Sequence, residues 1–415
     1  MPVPPIPLDV VRLVLKYLPR NFRARNYGRR PYDYLHPSAA PLMLVCKDWT
    51  SLVLDVVWRE VCISRVDVHL LVPLLLSRQD LLDRVRVLRI KLDIPGANYN
   101  DRFGASEDSM CDTWDGVTLL LHRAKRVTML DLPATLPYSS FLTTAAYASI
   151  SATVTTFELD LIPRLDVKNN GDLDSMWSCV ARFPLLTRLT VVSGSEVVFA
   201  TTTGARPKLR VRHFVLDCHE AQYPDLAGTR QMLQQLESAH LHSLELIHVG
   251  IRLKGSVDPL SPLNDLTGVR RLVIRTACDE ELDDALPRLC GILPRLTRLT
   301  ELELNYGMTP VTGLGARPAT AATTKSPTPV RQLLDALPPS MRRLTVESIH
   351  FCDWKPTKWV LKTHDDLQDD TVATVSLQVP APHNEGGTEI KPFRLVRSAV
   401  DLSEWRAVVP VSFLS

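Results

Sequence analysis

From residue 66 onward the apolar positions recur in one six-residue pattern, apolar-x-x-apolar-x-apolar. It appears as Val85 to Ile90, Val127 to Leu132, Val154 to Leu159, Leu186 to Val191, Val211 to Leu216, Leu241 to Leu246, Val269 to Ile274, Leu299 to Leu304 and Met341 to Val346. The central apolar residue advances from Leu88 to Leu344, 256 residues over eight steps, a mean of 32. Repeats this short cannot each close a core, so they must stack. The last two apolar residues of a copy lie two apart, which predicts a short strand with both facing inward and the residue between them facing out. Helix-like spans such as Leu226 to Ser238 and Asp279 to Leu293 fall between copies and can cover the other side of a parallel stack. The class expected is α/β.

The amino-terminal pattern is different. Ile6 to Leu18 predicts a short helix, with Pro7 near the first turn, Asp9 at the positive helix end and Pro19 as a stop. Only Asp9, Arg12 and Lys16 are polar, and on a 3.6-residue period they make one narrow stripe. Such a helix needs burial on two sides, and a partner protein is the natural second cover. Leu42 to Val61 repeats the theme, with Trp49 and Trp58 each carrying a large apolar area.

At these residues the sequence resembles the F-box family. Ile6-Pro7-Leu8-Asp9, followed by Val10, Leu13 and Leu18, matches the family's opening Leu-Pro-x-Glu and spaced aliphatics. Val45-Cys46-Lys47-Asp48-Trp49 and Val57-Trp58-Arg59-Glu60-Val61 match its later elements. The link Arg20 to Ser38 is longer than usual in the family. The resemblance implies a surface that binds the adaptor subunit of an SCF (Skp, cullin, F-box) ubiquitin ligase, through Ile6, Pro7, Val10, Leu13, Leu18, Val45, Trp49 and Trp58. It also implies that ubiquitylation occurs on other subunits, so this chain itself is not expected to be an enzyme. The hexamers from Val85 to Val346 resemble leucine-rich repeats, though they lack the regular Asn or Cys after the strand and are unevenly spaced. Together these suggest a helical F-box module at 1–65, an irregular leucine-rich-repeat-like solenoid at 66–350 and a C-terminal cap at 351–415. In the cap, Thr371 to Val379 and Pro392 to Val396 look like strands. The chain then reads as a substrate receptor; a repeat scaffold without a ubiquitin role, or a plain α/β domain with a parallel sheet, would share much of the pattern.

At 415 residues the chain is long enough for two or more packed units. A net charge of +2, from 48 basic and 46 acidic residues, exerts no global pull towards nucleic acid or membrane. The partners expected are therefore the adaptor with its cullin scaffold and a target protein. Among outward strand positions Arg188, His213, Glu245, Arg271, Glu301, Glu303 and Arg343 are the candidate target-binding residues. Their signs are mixed, which suits a protein or peptide with mixed charges of its own. The eight cysteines are scattered without a Cys-x-x-Cys pair, and no secretory signal or Asn-x-Ser/Thr acceptor occurs, so reduced thiols and a cytoplasmic or nuclear location are expected.

No stretch demands chemistry. The acidic run Asp279 to Asp284 reads as a first helical turn rather than paired catalytic carboxylates. Cys218-His219, with His213, His242 and His248, fits no compact zinc spacing. Phosphate-cradling Gly-x-x-x-x-Gly-Lys, His-Glu-x-x-His and Gly-x-Ser-x-Gly motifs do not occur. Neither a metal nor a cofactor is expected. Pro310 to Pro329, rich in Thr, Ala, Pro and Gly, reads as an insertion too poor in apolar surface to order itself. Arg20 to Arg30, five arginines with two aromatics, reads as a solvated loop, although that composition also suits phosphates and bases.

Overall fold

The computed structural model describes residues 47–64, 68–91, 107–133, 138–161, 170–193, 208–218, 226–247, 260–276, 279–306, 332–333, 336–348, 359–360, 371–380, 388–397 and 405–408. It is an α/β protein whose chain divides into two compact units. One comprises Met1–Asp160 with Arg164–Thr187, the other Leu161–Pro163 with Arg188–Ser415.

In the first unit, helix α1 (Lys47–Val57) leads into strand β1 (Glu60–Ser64). Strands β2 (Val87–Lys91), β3 (Met129–Pro133) and β4 (Thr156–Leu161) follow, all parallel and adjacent in chain order. Each pairing sets the fourth hexamer position against the next: Val61 faces Leu88, Leu88 faces Leu130 and Leu130 faces Phe157. These residues and their sixth-position companions Ile63, Ile90, Leu132 and Leu159 are buried, as the two-residue period requires. Parallel strands need crossovers, and helices supply them: α2 (Val68–Ser77) and α3 (Gln79–Leu82), α4 (Glu107–Arg123), then α5 (Tyr138–Phe141) and α6 (Ala145–Ser151). After β4 comes α7 (Asn170–Ala181). Helix α4 packs on α2 and α6, and α5 packs on α7. At the first of these contacts a Cβ on Gly116 would stand 3.3 Å from Val72 Cγ1.

The core between helices and strands is stitched by aromatic rings. Phe141 meets Tyr147 edge-on at 5.7 Å, Tyr147 meets Phe183 at 5.4 Å, and Phe183 meets Phe157 of β4 at 5.2 Å. Their polar ends are satisfied as burial demands: the Tyr147 hydroxyl donates to the Cys179 carbonyl at 3.1 Å, and Tyr138 does so to Pro133 at the same distance.

The second unit continues the same grammar. Strands β5 (Arg188–Ser193), β6 (His213–Asp217), β7 (Ser243–Ile247), β8 (Arg271–Thr276), β9 (Glu301–Tyr306) and β10 (Arg343–Ser348) are parallel neighbours in chain order. Leu189, Phe214, Leu244, Leu272, Leu302 and Leu344 form one buried row through them. Helix α8 (Leu226–Gln234) precedes β7, and α9 (Asp279–Ile292), which begins on the acidic run, lies between β8 and β9. Beyond β10 the chain adds β11 (Trp359–Val360), β12 (Thr371–Pro380), β13 (Thr388–Arg397) and β14 (Trp405–Val408). β12 pairs parallel with β10, β12 to β14 form an antiparallel ladder, and β11 pairs parallel with β14. Among the described residues no helix is long and apolar enough to cross a membrane.

Two expectations need amending. The stretch assigned to a helical module at 1–65 ends in strand: Trp58-Arg-Glu-Val61-Cys-Ile63 is a further copy of the hexamer, and β1 already belongs to the sheet. The fifth hexamer position, expected to face solvent throughout, is buried at Asp131, Val215 and Val273. Neighbouring long side chains account for two of these, as the site geometry shows.

Candidate functional site

The strand faces carry two ionic networks. In the first unit, Arg89 on β2 is the hub. Its Nε donates to Glu60 Oε1 at 2.9 Å, and its Nη1 reaches Asp131 Oδ2 at 3.2 Å and Glu158 Oε2 at 3.0 Å. Lys91 Nζ lies 2.9 Å from Asp131 Oδ2. Register explains the convergence, since Arg89, Asp131 and Glu158 occupy the same position on three adjacent strands. Asp131 is fully buried, and that burial, helped by Glu158, pushes its carboxyl up to about 6 against the pull of Lys91 and Arg89. Burial opposes the Arg89 charge too, but Glu60, Glu158 and Asp131 outweigh it and raise its pKa.

In the second unit the hub is Arg271 on β8. It lies 2.8 Å from Glu245 on β7 and 3.6 and 3.5 Å from Glu301 and Glu303 on β9, while Arg275 lies 3.0 Å from Glu303. Val273 stands between Arg271 and Arg275 along β8 and between Glu245 and Glu303 across the ladder, and it is fully buried. The ion pairs thus frame an apolar residue, with the side-chain stems supplying cover.

The candidate target-binding residues sort into two groups. Glu245, Glu301 and Glu303 are brought together around Arg271, which engages all three. Arg188, His213 and Arg343 are not drawn in; they are exposed at the amino-terminal ends of their strands. Of the adaptor-docking residues, Ile6, Pro7, Val10, Leu13, Leu18 and Val45 lie outside the described residues, as do the Arg20 to Arg30 and Pro310 to Pro329 stretches. Trp49 sits on α1 and Trp58 just beyond it, both half-buried.

Sequence reasoning missed Arg275, which completes the second network, and the second hexamer position, which reads Arg212, His242, Arg270, Thr300 and Arg342 along the second unit. The signal was available as a column, but only positions flanking the central apolar residue were considered. That column is held rigidly. The backbone N–H groups of His242 and Ser243 both donate to the Arg212 carbonyl, those of Arg270 and Arg271 to His242, and those of Arg342 and Arg343 to Thr300. Among the described residues no group of three or more His, Cys, Asp or Glu is placed to hold a metal ion. Cys179 and Cys218 are buried thiols, pushed by desolvation up to about 12. No family model matches this chain, and no curated protein is significantly similar to it.

Proposed function

We propose that the chain is a substrate-recognition subunit of an SCF-type ubiquitin ligase, holding the adaptor with its amino-terminal helices and a target protein with its strand-bearing units. The single observation behind target binding is the shared register of successive hexamers. It turns one position per copy into a continuous row of side chains, the form of surface that repeat proteins use for extended contacts. We read the strands and crossovers as an irregular leucine-rich-repeat-like solenoid with residues 351–415 as its cap. Docking rests on the sequence pattern from Ile6 to Val61, whose aliphatic helix needs a second cover. The chain would contribute proximity, raising the local concentration of target lysines beside a conjugating enzyme held elsewhere.

Affinity purification of the full chain, wild type and Leu13→Asp, tests this reading. Wild type is expected to retain adaptor and cullin. The variant, which pushes a charge into an apolar contact, is expected to lose both while keeping the melting temperature of the strand-bearing units. Failure of wild type to retain a cullin would refute the ligase role and leave a plain repeat scaffold.

A further inference from the structure

The amino-terminal ends of the second unit's strands concentrate positive charge that no described carboxylate neutralises. Arg188, Arg212, Arg270, Arg298, Arg342 and Arg343 are all exposed, and among the described residues no carboxylate lies within ion-pair reach of any of them. The acids nearest in register, Glu245, Glu301 and Glu303, are engaged by Arg271 and Arg275. Glu237 is engaged by Arg210 and His240. A chain with a net charge of only +2 therefore displays, along one edge, six guanidinium groups with no carboxylate partner among the described residues. From Arg188 on β5 to Arg343 on β10 the row spans about 24 Å, five inter-strand steps of about 4.8 Å each. Two histidines report the field. Partial burial, together with Arg270, Arg212 and Arg298, holds His242 below the ordinary imidazole value, and burial with Arg188 does the same for His213.

We propose that this arginine edge binds an extended, polyanionic polypeptide segment, its acidic groups supplied by a run of Asp and Glu or by phosphorylated side chains. The edge is preformed, because shared backbone acceptors fix the spacing of its second-position residues. Planar guanidinium forks suit carboxylate and phosphate alike. A peptide fits better than a nucleic acid on two counts. The described residues at this edge offer no exposed aromatic ring for a base to stack on. Beside the edge, the Glu245–Arg271–Glu301–Glu303–Arg275 network carries one carboxylate more than it has guanidinium groups, which would repel a phosphate backbone laid across it. A peptide can place acids on the edge and neutral or basic residues over that network.

The inference deepens the target-binding half of the proposed function and needs no adaptor. Fluorescence anisotropy of the full-length chain would use four labelled probes of equal length: a Glu-rich peptide, a phosphoserine peptide, a neutral peptide and a single-stranded oligonucleotide. The acidic or the phosphorylated peptide is expected to bind, weakening with added salt, while the neutral one does not; whichever binds more tightly identifies the source of the anion. Arg212→Glu with Arg270→Glu is expected to weaken binding by roughly tenfold or more. Lys125→Glu with Arg126→Glu, the same charge change at exposed positions in the first unit, should leave it unaltered. Should the first pair fail to fold, Arg188→Glu with Arg343→Glu at the two ends of the row serves instead. Absence of binding by both anionic peptides, equal losses in the two charge-reversal pairs, or tighter binding of the oligonucleotide would overturn the proposal. Leu13→Asp should bind the peptide normally, so loss of adaptor binding and loss of peptide binding are separable outcomes.

Discussion

Arg89 and Glu158 are bonded at 3.0 Å although β3 runs between their strands. The guanidinium reaches across Asp131, donating to it on the way, so one cation serves acids on both flanking strands and beyond. The carboxyl at the centre of this arrangement carries the cost of its burial.

That cost has a definite pH signature. The folded-state value for Asp131, about 6, lies above its ordinary 3.8, so between those values the folded chain binds a proton the unfolded chain does not. Stability from this group is therefore largest at acid pH and declines as pH rises through the window. In thermal melts the wild type is expected to gain on Asp131→Asn between pH 7 and pH 5. Parallel shifts of the two proteins over that range would show that Asp131 is not the group responsible.

Phe157 and Phe183 link a strand to the crossover behind it. Phe157→Ala removes a fully buried ring from the edge-to-face chain and is expected to cost about 3 to 5 kcal/mol. Denaturant unfolding would measure this, and a loss below about 1 kcal/mol would mean that the site collapses around the gap.

Gly268 precedes β8 at a place where two copies approach closely. A Cβ built there would stand 2.0 Å from the Ser238 carbonyl oxygen, and the Gly268 N–H lies 3.3 Å from Ser238 Oγ. Backbone must move to admit even a methyl group. Gly268→Ala is expected to destabilise by about 1 to 3 kcal/mol, and an unchanged melting temperature would contradict the close approach.

Thiol chemistry offers an independent check on packing. With values near 12, Cys179 and Cys218 hold roughly one part in ten thousand as thiolate at pH 8. Iodoacetamide followed by mass spectrometry should label both only after unfolding. Native labelling of either at the rate of half-buried Cys290 would be inconsistent with the burial described.

The hexamers were legible because burial imposes them directly. The first, fourth and sixth positions are apolar from Val85 through Leu344, and each of these positions described is buried. Strand β1 escaped notice because the aliphatic run of Leu42 to Val57 leads straight into it, and helical and strand periods overlap there. The face was legible as a set of residues but not as a charge distribution. Arg188, Arg271 and Arg343 occupy equivalent positions, yet only Arg271 has glutamates on both flanking strands close enough to engage it. Burial of Val273 follows from the same cross-strand arrangement, which the linear pattern does not encode.

The alignment of fourth position upon fourth position holds although the intervals between copies range from 25 residues, Leu189 to Phe214, to 42, Leu302 to Leu344. Spacer length and strand alignment are consequently independent variables in this architecture. Segments between copies can lengthen or shorten without displacing the edge arginines that lie inside the hexamers, Arg188, Arg212, Arg270, Arg342 and Arg343. The loss of one residue inside a hexamer, by contrast, would turn that strand's inner side chains outward. Evolution can thus lengthen the loops freely while the recognising columns stay in step.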